Sequence, residues 1–160
     1  MHSKTKTALI TGSGQNIGRG IALQLAAAGF NIIVNGSRNQ DAAEAVATEV
    51  RTHGVKALVA MGNVGIKAKA EAVAKAGIEH FGNIDVLINN AAIRPHEPFL
   101  EISQEQWQQV IDVDLNAAVW LARVILPGMA ENGWGRIISF SGMNAQRGYP
   151  GASVVSVSKH

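Results

Sequence analysis

The feature that most constrains this chain is an alternation of short, wholly apolar runs with longer stretches of helical periodicity. Residues 7–11 (TALIT), 31–35 (NIIVN), 56–61 (KALVAM), 85–89 (DVLIN) and 136–141 (RIISFS) read as strands. Between them, residues 17–28, 41–53, 68–81 and 104–131 read as helices. Strands separated by helices of a dozen or more residues form βαβ units, and such units in series build a parallel sheet. Runs that are apolar throughout belong to strands covered by helices on both faces. Right-handed crossovers then give an α/β fold, a doubly wound parallel sheet in three α/β/α layers with strand order 3-2-1-4-5. No repeat, low-complexity segment or linker interrupts the pattern, so residues 1–160 are expected to form a single domain.

Composition narrows the chemistry. The chain has no cysteine, which removes thiolate nucleophiles, cysteine-based zinc sites and iron–sulfur clusters. Its net charge is only +2 and no basic tract stands out, so nucleic acid is not an expected partner. No apolar run approaches the roughly 18 residues that span a bilayer, and Met1 to Lys6 do not read as a signal peptide. A soluble, cytoplasmic protein with no membrane contact is expected. The histidines His2, His53, His80 and His96 fall on separate segments without ligand spacing, so no metal site is expected.

The first strand runs into Thr11-Gly12-Ser13-Gly14-Gln15-Asn16-Ile17-Gly18, and a helix follows at once. Glycines there let the chain turn sharply, let backbone approach a pyrophosphate and let helix and strand pack closely. The free N–H groups of the helix N-terminus then face the phosphates, as in Rossmann-like dinucleotide sites. The spacing Gly-x-Gly-x-x-x-Gly is one residue longer than the usual fingerprint, and no Lys-Ser or Lys-Thr pair follows to make a P-loop. The plain alternative is a glycine-rich turn that holds no ligand.

On these residues the chain resembles the short-chain dehydrogenase/reductase family. That family carries Thr-Gly-x-x-x-Gly-x-Gly after its first strand, and Thr11, Gly12 and Gly18 stand in place. Asn16 replaces the middle glycine, a mild departure because asparagine tolerates the left-handed region. The second motif, Asn-Asn-Ala-Gly after the fourth strand, is here Asn89-Asn90-Ala91-Ala92. The resemblance continues through Trp107, Pro127-Gly128-Met129 and Gly135-Arg136-Ile137-Ile138. It implies a nicotinamide cofactor held by Gly12, Ser13, Gly14, Asn16, Ile17 and Gly18, with Asn90, Ala91 and Ala92 beneath it. The second strand ends Val34-Asn35-Gly36-Ser37-Arg38, with no acid before Asp41 to accept from a ribose. A 2′-phosphate would instead find the Ser37 hydroxyl and the Arg38 guanidinium, so NADP is preferred and NAD remains the alternative. Asn63-Val64 occupies the place where the family contacts adenine.

The resemblance also implies a catalytic Asn, Ser, Tyr and Lys, and here the register departs from it. Lys159 stands where the family's Lys belongs, able to bind the nicotinamide ribose. The Tyr position is Val155, the Ser position Gly142 and the Asn position Asp114. Valine moves no proton and glycine holds no carbonyl oxygen. Substitutes would have to come from Tyr149, Ser141, Ser153, Ser156 or His160. Ser141 is expected to face a helix, and His160 points about 100° around the helix from Lys159. Asp114 falls on the stripe set by Trp107, Ile111, Ala118, Leu121 and Ile125. A buried carboxylate needs a partner, and Lys159 is the natural one; the alternative is a rotated helix with Asp114 partly wet.

Three readings follow. The first is an NADP-linked oxidoreductase interconverting a small-molecule carbonyl and a secondary alcohol, with Lys159 and Asp114 at its catalytic centre and a non-standard or impaired proton donor. The second is a non-catalytic dinucleotide-binding protein of the same fold. The third takes the 160 residues as the cofactor part of a longer chain, because the family continues beyond its Lys with further strands and a substrate loop. The long fourth helix is the expected surface for a homo-oligomer.

Overall fold

The computed structural model describes residues 5–159; the expectations for Met1 to Lys4, His2 and His160 lie outside the described residues. Its strands are β1 (Thr7–Ile10), β2 (Asn31–Gly36), β3 (Ala57–Met61), β4 (Val86–Asn89) and β5 (Arg136–Ser139). All neighbours pair in parallel, in the order β3-β2-β1-β4-β5 expected from the sequence. The helices are α1 (Asn16–Ala27), α2 (Gln40–Arg51), α3 (Lys67–Phe81), α4 (Gln104–Ile111), α5 (Ala117–Glu131), α6 (Met143–Gln146) and α7 (Ser153–Lys159), with a π-helical turn at Asp112–Asn116 between α4 and α5.

Strands β1 to β4 are apolar because each feeds two cores. On one face Leu9, Ile33 and Leu87 pack against Val73 of α3 and against Leu121 and Ile125 of α5. On the other, Ala8, Ile10, Ile32 and Val34 meet Ala22 and Ala26 of α1 and Val46 and Val50 of α2. Small residues on α1 let that helix lie close to the sheet, which fixes where its N-terminus points. A smaller cluster joins Val110 of α4 to Val154 and Val155 of α7, flanked by Trp107 and Ile111.

Two expectations need correcting. The single helix over residues 104–131 is one rod, but the π turn divides it. A π turn accommodates one extra residue and so shifts the phase of everything on one side relative to the other. The buried stripe is therefore Val110, Val113, Ala117, Leu121, Ile125 and Met129, whereas Trp107, Ile111 and Ala118 are only half-buried. The second correction concerns β5, which is exposed along its whole length, with Ile137 at 40% and Ile138 at 47%. Among the described residues it is bonded to β4 alone, and α7 packs on α4 and the π turn.

Leu121 is fully buried at the centre of the first core. Leu121→Ala should cost about 2–5 kcal/mol, lowering the urea midpoint with the slope unchanged. A loss below about 1 kcal/mol would place Leu121 outside the core.

Candidate functional site: a cleft across the C-terminal ends of the strands

The chain leaves β1 and β4 side by side, and the two exits are tied together by side chains. The Thr11 hydroxyl donates to the Ile88 carbonyl at 3.3 Å and accepts from the N–H groups of Asn90 and Ala91, each at 3.0 Å. One donor and two lone pairs are thereby all used. Asn90 returns the tie: its side-chain Nδ2 donates to the carbonyls of Thr11 at 2.9 Å and Gly12 at 3.2 Å.

That proximity dictates the glycines. Gly12 has φ of +63°, and a Cβ on it would stand 3.1 Å from Ala91 Cα. At Gly18 a Cβ would lie 2.5 Å from the Gly12 carbonyl oxygen and 2.7 Å from Asn90 Nδ2. Asn16, where the family has its middle glycine, sits at φ of +50°, the left-handed region asparagine tolerates. No side chain caps the N-terminus of α1, and no acid lies in its first turn. By contrast, Asn39 caps α2 and Ser103 caps α4.

On the other side of β1, Asn35 closes the junction with β2 and β3. Its Oδ1 accepts from Gly12 N–H at 3.2 Å, while Nδ2 donates to the carbonyls of Ala60 at 2.9 Å and Gly62 at 3.1 Å. Ser13 completes this brace, donating from Oγ to the Ile10 carbonyl and accepting there from Asn35 N–H.

These junctions border a cavity of about 590 Å³ that runs over the strand ends from β3 and β2, across β1, to β4. Gly12, Asn16, Ile17 and Gly18 line its centre, Ser37 and Arg38 the β2 end, and Asn63 and Val64 the β3 end. Asn90, Ala91 and Ala92 line the β4 side. Four expected residues do not line it, the buried Asp114 described below among them. The Ser13 side chain is buried in its brace, Gly14 stands against Ala43 of α2, and Lys159 is turned into an ion pair. Unexpected lining residues are Gln15, Asn35 and Gly62, then Ile93 and Arg94 beyond β4, and Gln109 and Val113 on the rod. Asn35 carried a signal, a polar residue closing an apolar strand. Gln109 and Val113 carried none, because the π turn sets their phase.

Below the β4 end, Asp114 sits in the π turn with its side chain fully buried. One carboxylate oxygen accepts from Ile93 N–H at 2.9 Å, and the other lies 3.4 Å from Lys159 Nζ, itself 7% exposed. Burial raises the Asp114 pKa above the ordinary aspartate value, against the opposing pull of the Ile93 N–H, Lys159 and Arg94. The expected pairing is thus present. No group of three His, Asp or Glu side chains among the described residues could hold a metal ion.

Residues 6–160 match the short chain dehydrogenase family. The chain belongs to that family. It is 35% identical over 146 residues to the 3-oxoacyl-(acyl-carrier-protein) reductase FabG of Staphylococcus epidermidis, covering 91% of this chain and 60% of the relative. With the D-beta-hydroxybutyrate dehydrogenase of Cupriavidus necator it shares 39% identity over 134 residues, 84% of this chain and 52% of that one. Among solved structures, acetoin dehydrogenase YohF from Salmonella typhimurium superposes with a TM-score of 0.93 at 30% identity, over 98% of this chain and 62% of its own. A metagenomic short-chain oxidoreductase in complex with NADP gives 0.91 at 26% identity, over 96% and 70%. The chain spans about 60% of the length of the FabG relative.

In this member of the family, Val155 is 3% exposed and packed against Val110 and Val154. Gly142 is exposed, with open space where a side chain would stand. Ser141 does face a helix: its hydroxyl donates to the Lys159 carbonyl at 2.8 Å. Tyr149 is 61% exposed beside the ring of His96. The Ser153 and Ser156 hydroxyl oxygens are buried with no hydrogen-bond partner, the only serine oxygens so placed among the described residues.

Because the folded state binds the Asp114 proton more tightly than the unfolded chain, this group favours folding at low pH. Its contribution falls as pH rises from the ordinary aspartate value through the raised one. Asp114→Asn keeps an acceptor for Ile93 N–H but removes the titration. The difference between the urea-unfolding profiles of wild type and variant should therefore vary across that acidic window. A constant difference would show that Asp114 ionises as it does in the unfolded chain.

Proposed function

We propose that this chain binds NADP in preference to NAD and belongs to an oxidoreductase interconverting a small-molecule carbonyl and a secondary alcohol. The observation that carries this reading is the cradle at Gly12 and Gly18, where added Cβ atoms would meet Ala91 and the Gly12 carbonyl. Backbone can approach a pyrophosphate there, beside an α1 N-terminus left without a side-chain cap. Ser37 and Arg38, exposed in the cavity lining at the β2 end, support the reading of a 2′-phosphate site there, and Asn63 and Val64 at the β3 end that of an adenine site. The residues present fit the dinucleotide, which would supply the hydride. The relatives' names, a 3-oxoacyl reductase, a hydroxybutyrate dehydrogenase and an acetoin dehydrogenase, support the carbonyl–alcohol chemistry.

Carbonyl reduction needs a proton as well as a hydride, and the side chain at position 155 supplies none. Val155 is buried among aliphatic neighbours, Gly142 offers no hydroxyl, and Tyr149 lies exposed beside His96. Lys159 is held by Asp114. Proton delivery then falls to water entering the cleft, with Asp114 and Lys159 orienting the Ile93 segment, and turnover is slow. The same observations favour a second reading, a dinucleotide-binding protein without catalysis. The outer face of the rod, with Leu115, Val119 and Leu126 exposed, is the surface for pairing with a second copy.

Cofactor fluorescence titration tests the binding. NADPH should bind more tightly than NADH. Arg38→Ala should lower NADPH affinity about tenfold while changing NADH little, the size expected for one charge-assisted contact. Gly18→Val should weaken both. Equal binding of the two cofactors, or an unaltered NADPH affinity in both variants, would overturn the assignment. Turnover of a carbonyl panel that falls in Lys159→Ala would support the enzyme, and its absence in wild type the binding protein.

A further inference from the structure

The cavity carries two guanidinium groups and, among the described residues, no acid. Arg38 follows β2 and Arg94 follows β4, so the two lie on opposite sides of the central β1. A 2′-phosphate accounts for the first. The second stands beyond Asn90, Ala91 and Ala92, on the side where Ile93 is fixed by Asp114. Arg94 is exposed to the cavity; its charge acts on the buried Asp114, but among the described residues it makes no hydrogen bond or ion pair. The other cation at this end, Lys159, is buried and neutralised by Asp114.

Resting on the dinucleotide reading, we infer that Arg94 is a specificity-determining residue, and that the substrate of this cleft carries a carboxylate beside its carbonyl or hydroxyl group. A guanidinium whose donors make no hydrogen bond presents a planar fork that matches a carboxylate with two parallel hydrogen bonds. Its backbone is anchored, because the preceding residue donates its N–H to a buried aspartate. Gln109 on the rod lines the same cavity and adds a neutral amide for the remaining polar atoms of such a substrate. No carboxylate stands among the lining residues, and the nearby Asp114 is buried behind Ile93 and paired with Lys159, so an entering anion meets a guanidinium at either end.

The experiment uses the full chain saturated with NADPH, and acetoacetate and methyl acetoacetate as probes of nearly equal size and different charge. Binding is read from the change in cofactor fluorescence. The acid should bind at least about tenfold more tightly than its ester. Arg94→Gln should bring the ratio close to one, with unfolding of the variant by urea confirming a wild-type fold. Equal binding of acid and ester to the wild type would overturn the inference, as would a preference that survives in Arg94→Gln. A chain that does not take up NADPH at all fails earlier and overturns the dinucleotide reading on which the inference rests.

Discussion

Everything about the cleft depends on the tie between Thr11 and Asn90. A parallel sheet wound in both directions from β1 must part its connections between β1 and β4, leaving a crevice at the carboxyl ends of those strands. Two chain exits there would ordinarily leave backbone groups without partners. Thr11 and Asn90 satisfy them reciprocally, through a saturated hydroxyl and a two-pronged amide. The cost is space: Gly12 must adopt a left-handed conformation against Ala91, and Gly18 must pass within touching distance of Gly12 and Asn90. The glycines are consequences of the tie as much as adaptations to a ligand.

The same economy recurs on the other side of β1. Asn35 binds the glycine turn, β3 and the chain after it with one amide, so three strand ends are held in fixed relation. The rigid floor that results sets where Ser37, Arg38 and Asn63 emerge. On the β4 side, the floor is set by a buried charge. Asp114 holds the Ile93 backbone while being stabilised by Lys159, so a residue in the middle of a helical rod positions a loop at the strand ends. An ion pair buried in this way stabilises little by itself, yet removing one partner strands the other. Its effect is to fix geometry and to withdraw Lys159 from the cleft.

Much of this was legible in the residues. The continuous apolar runs and the helices between them specify the sheet and its order, because few topologies bury such strands on both faces. Thr11, Gly12, Gly18 and Asn90 mark the crevice, and the burial of Asp114 and its pairing with Lys159 followed from charge and position. What was not legible turned on phase and facing. The π turn at Asp112–Asn116 has no sequence signature, so the buried stripe of the rod was displaced from Trp107 and Ile111 to Val110 and Val113. Ser13 and Gly14 belong to the motif by position, but alternate residues of a tight turn face different ways, into the brace and against α2.

The central claim is that the strand-end cleft is a dinucleotide site organised around β1. Backbone amide chemical-shift mapping by NMR on addition of NADPH tests it most directly, because it reports every segment at once. The account predicts large shifts confined to residues 12–18, 35–38, 62–64 and 90–94 and to Gln109 and Val113, the parts of the chain that border the cavity. Shifts centred elsewhere, for example around β5 or at the N-terminal edge of the sheet, would contradict it, as would a spectrum unchanged at saturating cofactor.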